Sequence, residues 1–280
     1  MKKQFFLMLL FCIGLISCSN TNEEPKAEDQ TTPINSLENY RFWGDAHNAL
    51  LEATVNNYGI RTRVVGDEDA HPSYDELNQL QLQYALALDM DENYKPVLCQ
   101  GLTQFKAYYD TDQLYNDYFV KKNGSYPIVD EFKELRNNGI IDGFEFTYIK
   151  ELCEVIAQYK QGIVSLTFLD NEIKMIDGKW AEHYQDVGTP QGQTLAYVLC
   201  IASSSVEWWS EQEVHTRVVP AWVAADVGGA LVGAAIEGGT QFIKFNRVTS
   251  WTNVGCKALG GAVVASTGIA GKIGKWLFRL

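Results

Sequence analysis

Four histidines, His47, His71, His183 and His215, are the first place to look for acid–base or metal chemistry. None forms the HExxH pair that sets two imidazoles on one helical face for zinc, and no two are close enough in sequence to suggest a metal pair. His183, in KWAEHYQD, has Glu182 and Asp186 beside it and is the best general-base candidate. A structural histidine is the simpler expectation at that position. The serines of ASSSVE, Ser203 to Ser205, lack the G-x-S-x-G turn that presents a nucleophile, so small side chains allowing close helix packing are expected there. DMDENYKPVLCQ begins like a calcium loop, with Asp89, Asp91 and Asn93 at the first, third and fifth places. The sixth place needs a glycine and holds Tyr94, and the twelfth needs a bidentate glutamate and holds Gln100. DTDQLYND and GDEDAHP read as solvated turns. These spacings name no catalytic residue, metal site or cofactor.

Cys18 is the residue with a readable chemical role. Lys2 and Lys3 form a short positive segment, and Phe5 to Ile16 form an apolar run too short to span a bilayer but suited to an export signal. Leu15-Ile16-Ser17-Cys18 resembles the lipobox of bacterial lipoproteins. That resemblance implies a diacylglyceryl group on the Cys18 thiol, cleavage before it and acylation of the freed amine. Two or three acyl chains anchor a protein stably where one does not. Ser19, rather than an aspartate, follows the cysteine, which favours the outer membrane. The acidic pair Glu23 and Glu24 resembles the export signal of surface-exposed lipoproteins in the Bacteroidota. The resemblance thus implies residues 1–17 as a signal peptide and 18–36 as a lipidated tether.

The segment 19–36 has no aromatic residue and, among the larger aliphatics, only Ile34, so its composition predicts a flexible tether. The formal charge is −12, and removal of Lys2 and Lys3 makes it two units more negative. An acidic chain with no basic cluster is unsuited to nucleic acid. The same balance leaves the lipid on Cys18, rather than electrostatics, as the membrane attachment.

Helical periodicity dominates the rest, and the predicted fold is mostly α: an irregular multi-helix domain over 37–217 with a small-residue helical hairpin over 218–280. Tyr40, Trp43, His47, Leu50, Leu51, Thr54 and Tyr58 fall at steps of three and four on one helical face. Ser73 and Glu76 form a capping box, with Leu77, Leu80, Tyr84 and Leu88 as the predicted buried stripe behind it. Pro127 opens a helix running to a glycine stop, and Phe146 to Tyr159 mark another, ended by Gly162. Thr189 as cap and Pro190 at the first position are expected to open a helix lined by Leu195, Leu199, Ala202, Val206 and Trp209. RTRVVG is the best short strand candidate. Cys99, Cys153, Cys200 and Cys256 each sit among apolar residues, which fits buried thiols; three disulfide pairings are the alternative.

The C-terminal segments supply the strongest pattern. Ala225, Gly229 and Gly233 repeat every four residues, and Ala258, Ala262, Ser266, Ala270 and Gly274 continue the spacing in a second segment. Residues four apart form one ridge of a helix, and a ridge of Gly, Ala and Ser admits another backbone closely. The segments therefore read as partners, joined by TQFIKFNRVTSWTNVG. Seven Val, Leu and Ile residues between Val218 and Ile236 favour bilayer insertion by roughly 3 kcal/mol, and Asp226 at the centre opposes it by roughly the same amount. The second segment has fourteen uncharged residues between Lys257 and Lys272, short of a span. GGALVG matches no phosphate-binding loop. Lys272, Lys275 and Arg279 beside Trp276 and Phe278 make a basic amphipathic end. The tail resembles glycine-zipper segments of envelope lipoproteins and of membrane-active peptides. The leading expectation is a lipid-anchored envelope protein with a non-enzymatic binding or structural role, attached to the membrane through Cys18 and open to an envelope protein partner. A membrane-active protein inserting its hairpin, and an envelope hydrolase using His183 and Asp186, are the alternatives.

Overall fold

The computed structural model describes residues 37–65, 73–184, 191–211 and 219–277. Among these residues the chain is a mostly α multi-helix fold with no β-strand, its one β-type pairing being an isolated bridge between Lys122 and Ser125. A 3-10 turn at Leu37–Tyr40 leads into α1 (Arg41–Val65), followed by α2 (Tyr74–Ala87) and α3 (Lys95–Gln104). After a second 3-10 turn, Lys106–Tyr109, come α4 (Thr111–Tyr118), α5 (Pro127–Asn137), α6 (Gly143–Lys160), α7 (Leu166–Tyr184) and α8 (Gln193–Glu211). Two 27-residue helices, α9 (Val219–Phe245) and α10 (Trp251–Leu277), complete the described fold.

Local chemistry starts several of these helices, two of them where expected, at Ser73 and Pro127. The Ser73 hydroxyl accepts from the Glu76 amide at 3.2 Å and the Glu76 carboxylate accepts from the Ser73 amide at 2.7 Å, a reciprocal capping box. Asp110 and Asp142 cap α4 and α6 in the same way through single bonds, and Pro127 stands at the first turn of α5.

The hairpin lies at the centre. Gly229 faces Gly261 and Gly233 faces Lys257 and Ala258, an order that makes α9 and α10 antiparallel. Packed on α9 are α8, α5 and α6, while α10 rests on α3, α1 and the 3-10 turn at Lys106–Tyr109. Every described side chain from Trp222 to Ala235 is buried. Hairpin and preceding helices share one hydrophobic core that runs from Tyr40 to Ala265.

Four sequence expectations need correction. RTRVV is the last part of α1, not a strand: the run is too short to pair alone, and continuing a helix satisfies its backbone. Leu80, Tyr84 and Leu88 are only half-buried, while Asn78, Gln81 and Ala85 join Leu77 on the inner face of α2. The polar pair is drawn in by partners: Asn78 donates to the Leu102 carbonyl at 3.0 Å, and Gln81 bridges Thr267 at 2.7 Å and the Tyr109 hydroxyl at 2.6 Å. Thr189 and Pro190 lie outside the described residues, and α8 begins only at Gln193, because Gly192 takes a φ of +91°, outside the right-handed helix. The hairpin connection is shorter than TQFIKFNRVTSWTNVG, since α9 continues to Phe245 and α10 starts at Trp251.

Candidate functional site: a polar latch inside the core

His47 on α1, Ser205 and Trp209 on α8 and Asp226 on α9 meet in the interior. Helical spacing places each one. His47 shares the inner face of α1 with Trp43, Leu50 and Leu51, and Ser205 and Trp209, four apart, share a face of α8. The Asp226 side chain is fully buried and accepts three hydrogen bonds: His47 Nε2 to Oδ1 at 3.0 Å, Ser205 Oγ to Oδ2 at 2.5 Å and Trp209 Nε1 to Oδ2 at 3.1 Å. The other imidazole nitrogen of His47 meets Asn48 Oδ1 at 3.0 Å, and Asn48 in turn donates to the Ser204 carbonyl at 3.0 Å. Trp209 stacks on Trp222, ring centroids 3.8 Å apart, and closes the hairpin side. Burial disfavours a charged imidazole at His47, yet the Asp226 carboxylate, with the hydrogen bonds that Asp226 and Asn48 accept from the ring, outweighs it and raises the pKa above its ordinary value.

A second buried carboxylate does a different task. Glu145 on α6 reaches the start of α8, where its Oε1 accepts from the Leu195 amide at 3.2 Å. It is therefore the cap of α8, supplied from another helix rather than from the residues before it. Its Oε2 is buried with no hydrogen-bond partner. Desolvation pushes the Glu145 pKa up from 4.5 to about 7, against the lowering effect of the nearby backbone of Gly192, Leu195 and Asp142. The folded state thus binds this proton more tightly than the unfolded chain does. Stability linked to it is complete below about pH 4.5 and is lost as pH rises through about 7, a change of about 3 kcal/mol. Urea unfolding at about pH 4.5 and pH 8 is expected to show that loss, and Glu145→Gln, which cannot ionise, is expected to remove it. An equal slope in both proteins would refute the assignment.

The small-residue ridge packs backbone on backbone. A side chain at Gly229 would strike the Gly261 carbonyl, and one at Gly233 would strike the Lys257 carbonyl and Ala258. Ala225, Ala258, Ala262 and Ser266 are fully buried, the Ser266 hydroxyl donating back to the Ala262 carbonyl at 3.2 Å. Ala270 and Gly274 lie in the helical backbone of α10, and their packing, like that of Lys272, Lys275 and Trp276, is outside the described residues, as are Phe278 and Arg279. Sequence reasoning missed a second glycine face on α10: Gly260 abuts Gly101 of α3, and Gly268 abuts the Tyr109 carbonyl. Lys257, on the same helix, is nearly enclosed and donates to Gln104 at 2.8 Å, and desolvation takes its pKa down to about 8.

The other sequence candidates do not converge. His183 is exposed and stacks on Phe144 at 3.9 Å, and Asp186 lies outside the described residues. The Asp89–Asn93 stretch is a turn in which the Asn93 amide bonds to Asp91 at 2.8 Å. Among the described residues no three His, Cys, Asp or Glu side chains are grouped to hold a metal, and no helix is long and apolar enough to cross a membrane. Among the described residues Cys99, Cys153, Cys200 and Cys256 form no disulfide, and the last three are buried. Cys18 lies outside the described residues. The chain matches no family model, no curated protein and no solved structure.

Proposed function

We propose that this chain is a lipid-anchored protein of the bacterial cell envelope, held at the outer membrane through Cys18, with a non-enzymatic binding or structural role. The observation that carries the non-enzymatic part is the order of the buried triplet. Aspartate stands between histidine and serine, so the Ser205 hydroxyl donates its hydrogen bond to a carboxylate. His47 turns Nε2 to Asp226 and Nδ1 to Asn48, leaving it no nitrogen to activate the serine. A nucleophilic serine needs the opposite order, with histidine in the middle. The same groups tie the hairpin to α1 and α8, which is a structural task. Anchoring is supported by the lipobox residues Leu15 to Cys18.

The test is the fate of the full-length chain in a bacterium that processes lipoproteins. The wild-type protein is expected in the membrane fraction, released by detergent but not by salt, with the tryptic peptide Cys18–Lys26 carrying the mass of a diacylglyceryl group. Cys18→Ser is expected to shift nearly all of it to the soluble fraction. A wild-type protein that is soluble after lysis, with an unmodified Cys18, would overturn the anchor.

A further inference from the structure

We infer that the tip of the hairpin, Phe242 to Val248, is a docking surface for anionic phospholipid headgroups of the membrane that holds the anchor, an inference that rests on the lipid-anchor reading. Charge is distributed unevenly along the chain. It holds 35 acidic residues, yet none occurs between Gly238 and Leu280. Within that acid-free stretch Lys244 and Arg247 are exposed at the tip, and among the described residues neither is paired with a carboxylate. Glu237, the nearest acid in sequence, is bonded to the Gln241 amide at 2.9 Å. Between and beside the cations stand apolar groups: Ile243 is 53% exposed, Phe242, Phe245 and Val248 are half-buried, and Lys244 lies over the Phe245 ring at 5.0 Å. Cations flanking exposed aliphatic and aromatic surface suit a bilayer interface, where the ammonium and guanidinium groups meet phosphates and the apolar groups enter the acyl boundary.

The tip is also built to hold its shape. Asn246 takes a φ of +56° and its amide closes on the Phe242 carbonyl at 2.7 Å, which ends α9 and turns the chain. Buried Gln241 then fastens the loop: its Oε1 accepts from the Thr249 and Ser250 amides at 2.8 and 2.9 Å, and its Nε2 donates to the Ser250 carbonyl at 3.0 Å. A fixed loop loses little conformational freedom on docking. The protein's overall negative charge does not cancel the local attraction, because screening confines it to about 8–10 Å. The residues between Cys18 and Leu37 reach at most about 65 Å when fully extended. A lipid on Cys18 therefore keeps the tip close to the bilayer, and a weak contact becomes effectively intramolecular.

The experiment uses residues 19–280, without lipid, and sucrose-loaded vesicles of phosphatidylcholine alone or with about one-third phosphatidylglycerol. At about 0.1 M salt the protein is expected to sediment with the anionic vesicles and not with the neutral ones, without releasing an entrapped dye. At about 1 kcal/mol per cation, Lys244→Gln with Arg247→Gln is expected to lower partitioning roughly 30-fold. Ile243→Asp is expected to lower it as well, and Lys174→Gln, an exposed cation on α7, to leave it unchanged. Unaltered circular dichroism in each variant separates lost docking from lost folding. Equal binding to both vesicle types, no binding, variants that bind like wild type, or capture by an acidic protein surface in place of vesicles would each overturn the assignment. None of these outcomes bears on whether Cys18 is acylated, which the peptide mass decides separately.

Discussion

Gly233→Val is expected to destabilise the protein by about 4–5 kcal/mol, a large part of what holds a domain of this kind folded. The reason is geometric. A β-carbon at Gly233 would lie on the Lys257 carbonyl oxygen and against Ala258, and both belong to the backbone of α10. Backbone in the middle of a packed helix cannot swing aside as a side chain can, so α9 and α10 would have to part. Parting them disturbs the other face of α10, where Gly260 abuts Gly101 and Gly268 abuts Tyr109. Helix propensity alone gives the opposite sign, since replacing a helical glycine by alanine ordinarily stabilises by about 0.5–1 kcal/mol. Gly239→Ala supplies the contrast: it is on the same helix, and nothing lies within 4 Å of its would-be β-carbon. Urea unfolding followed by helical circular dichroism should therefore show Gly239→Ala above wild type, Gly233→Ala below it by about 2–3 kcal/mol, and Gly233→Val lowest. Substitutions at the two positions with the same sign would rule out close packing as the reason for glycine at 233.

Much of this architecture is readable from the chain because it is written in local, periodic terms. The Ser73–Glu76 box, Pro127 and the apolar face of α1 each depend on residues within a turn or two of one another. The repeat of Ala225, Gly229 and Gly233 likewise marks a close neighbour before the neighbour is known. What stays hidden depends on pairing across long separations. His47 and Asp226 are 179 residues apart, and Glu145 and Leu195 are 50 apart. In sequence, Asp226 is an isolated charge in an apolar run and Glu145 is one acid in FEFTY, so neither announces its partner. Asn78 and Gln81 mislead for the same reason: polar residues on a helix read as its solvent face until Leu102, Tyr109 and Thr267 are seen to satisfy them. One signal was available. Asp226 costs about as much in a bilayer as its apolar neighbours return, and a charge kept in such a run calls for a specific polar partner.

Asp226→Ala is the second change expected to act strongly, at about 3–5 kcal/mol. It removes one acceptor group and strands three buried donors at once: the Ser205 hydroxyl, the Trp209 indole and the His47 imidazole. Asp226→Asn retains an oxygen for Ser205 or Trp209 but withdraws the negative charge, so its cost should be smaller, about 1–2 kcal/mol. The pH dependence separates charge from packing. A histidine whose pKa is raised by folding contributes stability that is complete below its unfolded value of 6.5 and is lost as pH rises through the folded one. The His47 contribution to wild-type stability should therefore fall as pH rises above 6.5, and both substitutions at Asp226 should flatten that fall. An unchanged slope would mean that His47 does not titrate against Asp226. The same variants address the hairpin's other conceivable use. Leaving the core for a bilayer would require α9 to give up these three bonds and carry Asp226 into hydrocarbon, so the latch opposes insertion. If Asp226→Ala, while still folded by circular dichroism, released dye from vesicles that wild type leaves intact, the hairpin would be a membrane-inserting element held back by its own aspartate. If the variant only unfolds at lower urea and leaves vesicles sealed, α9 and α10 are scaffold, and any binding role must be sought on the surface they hold up.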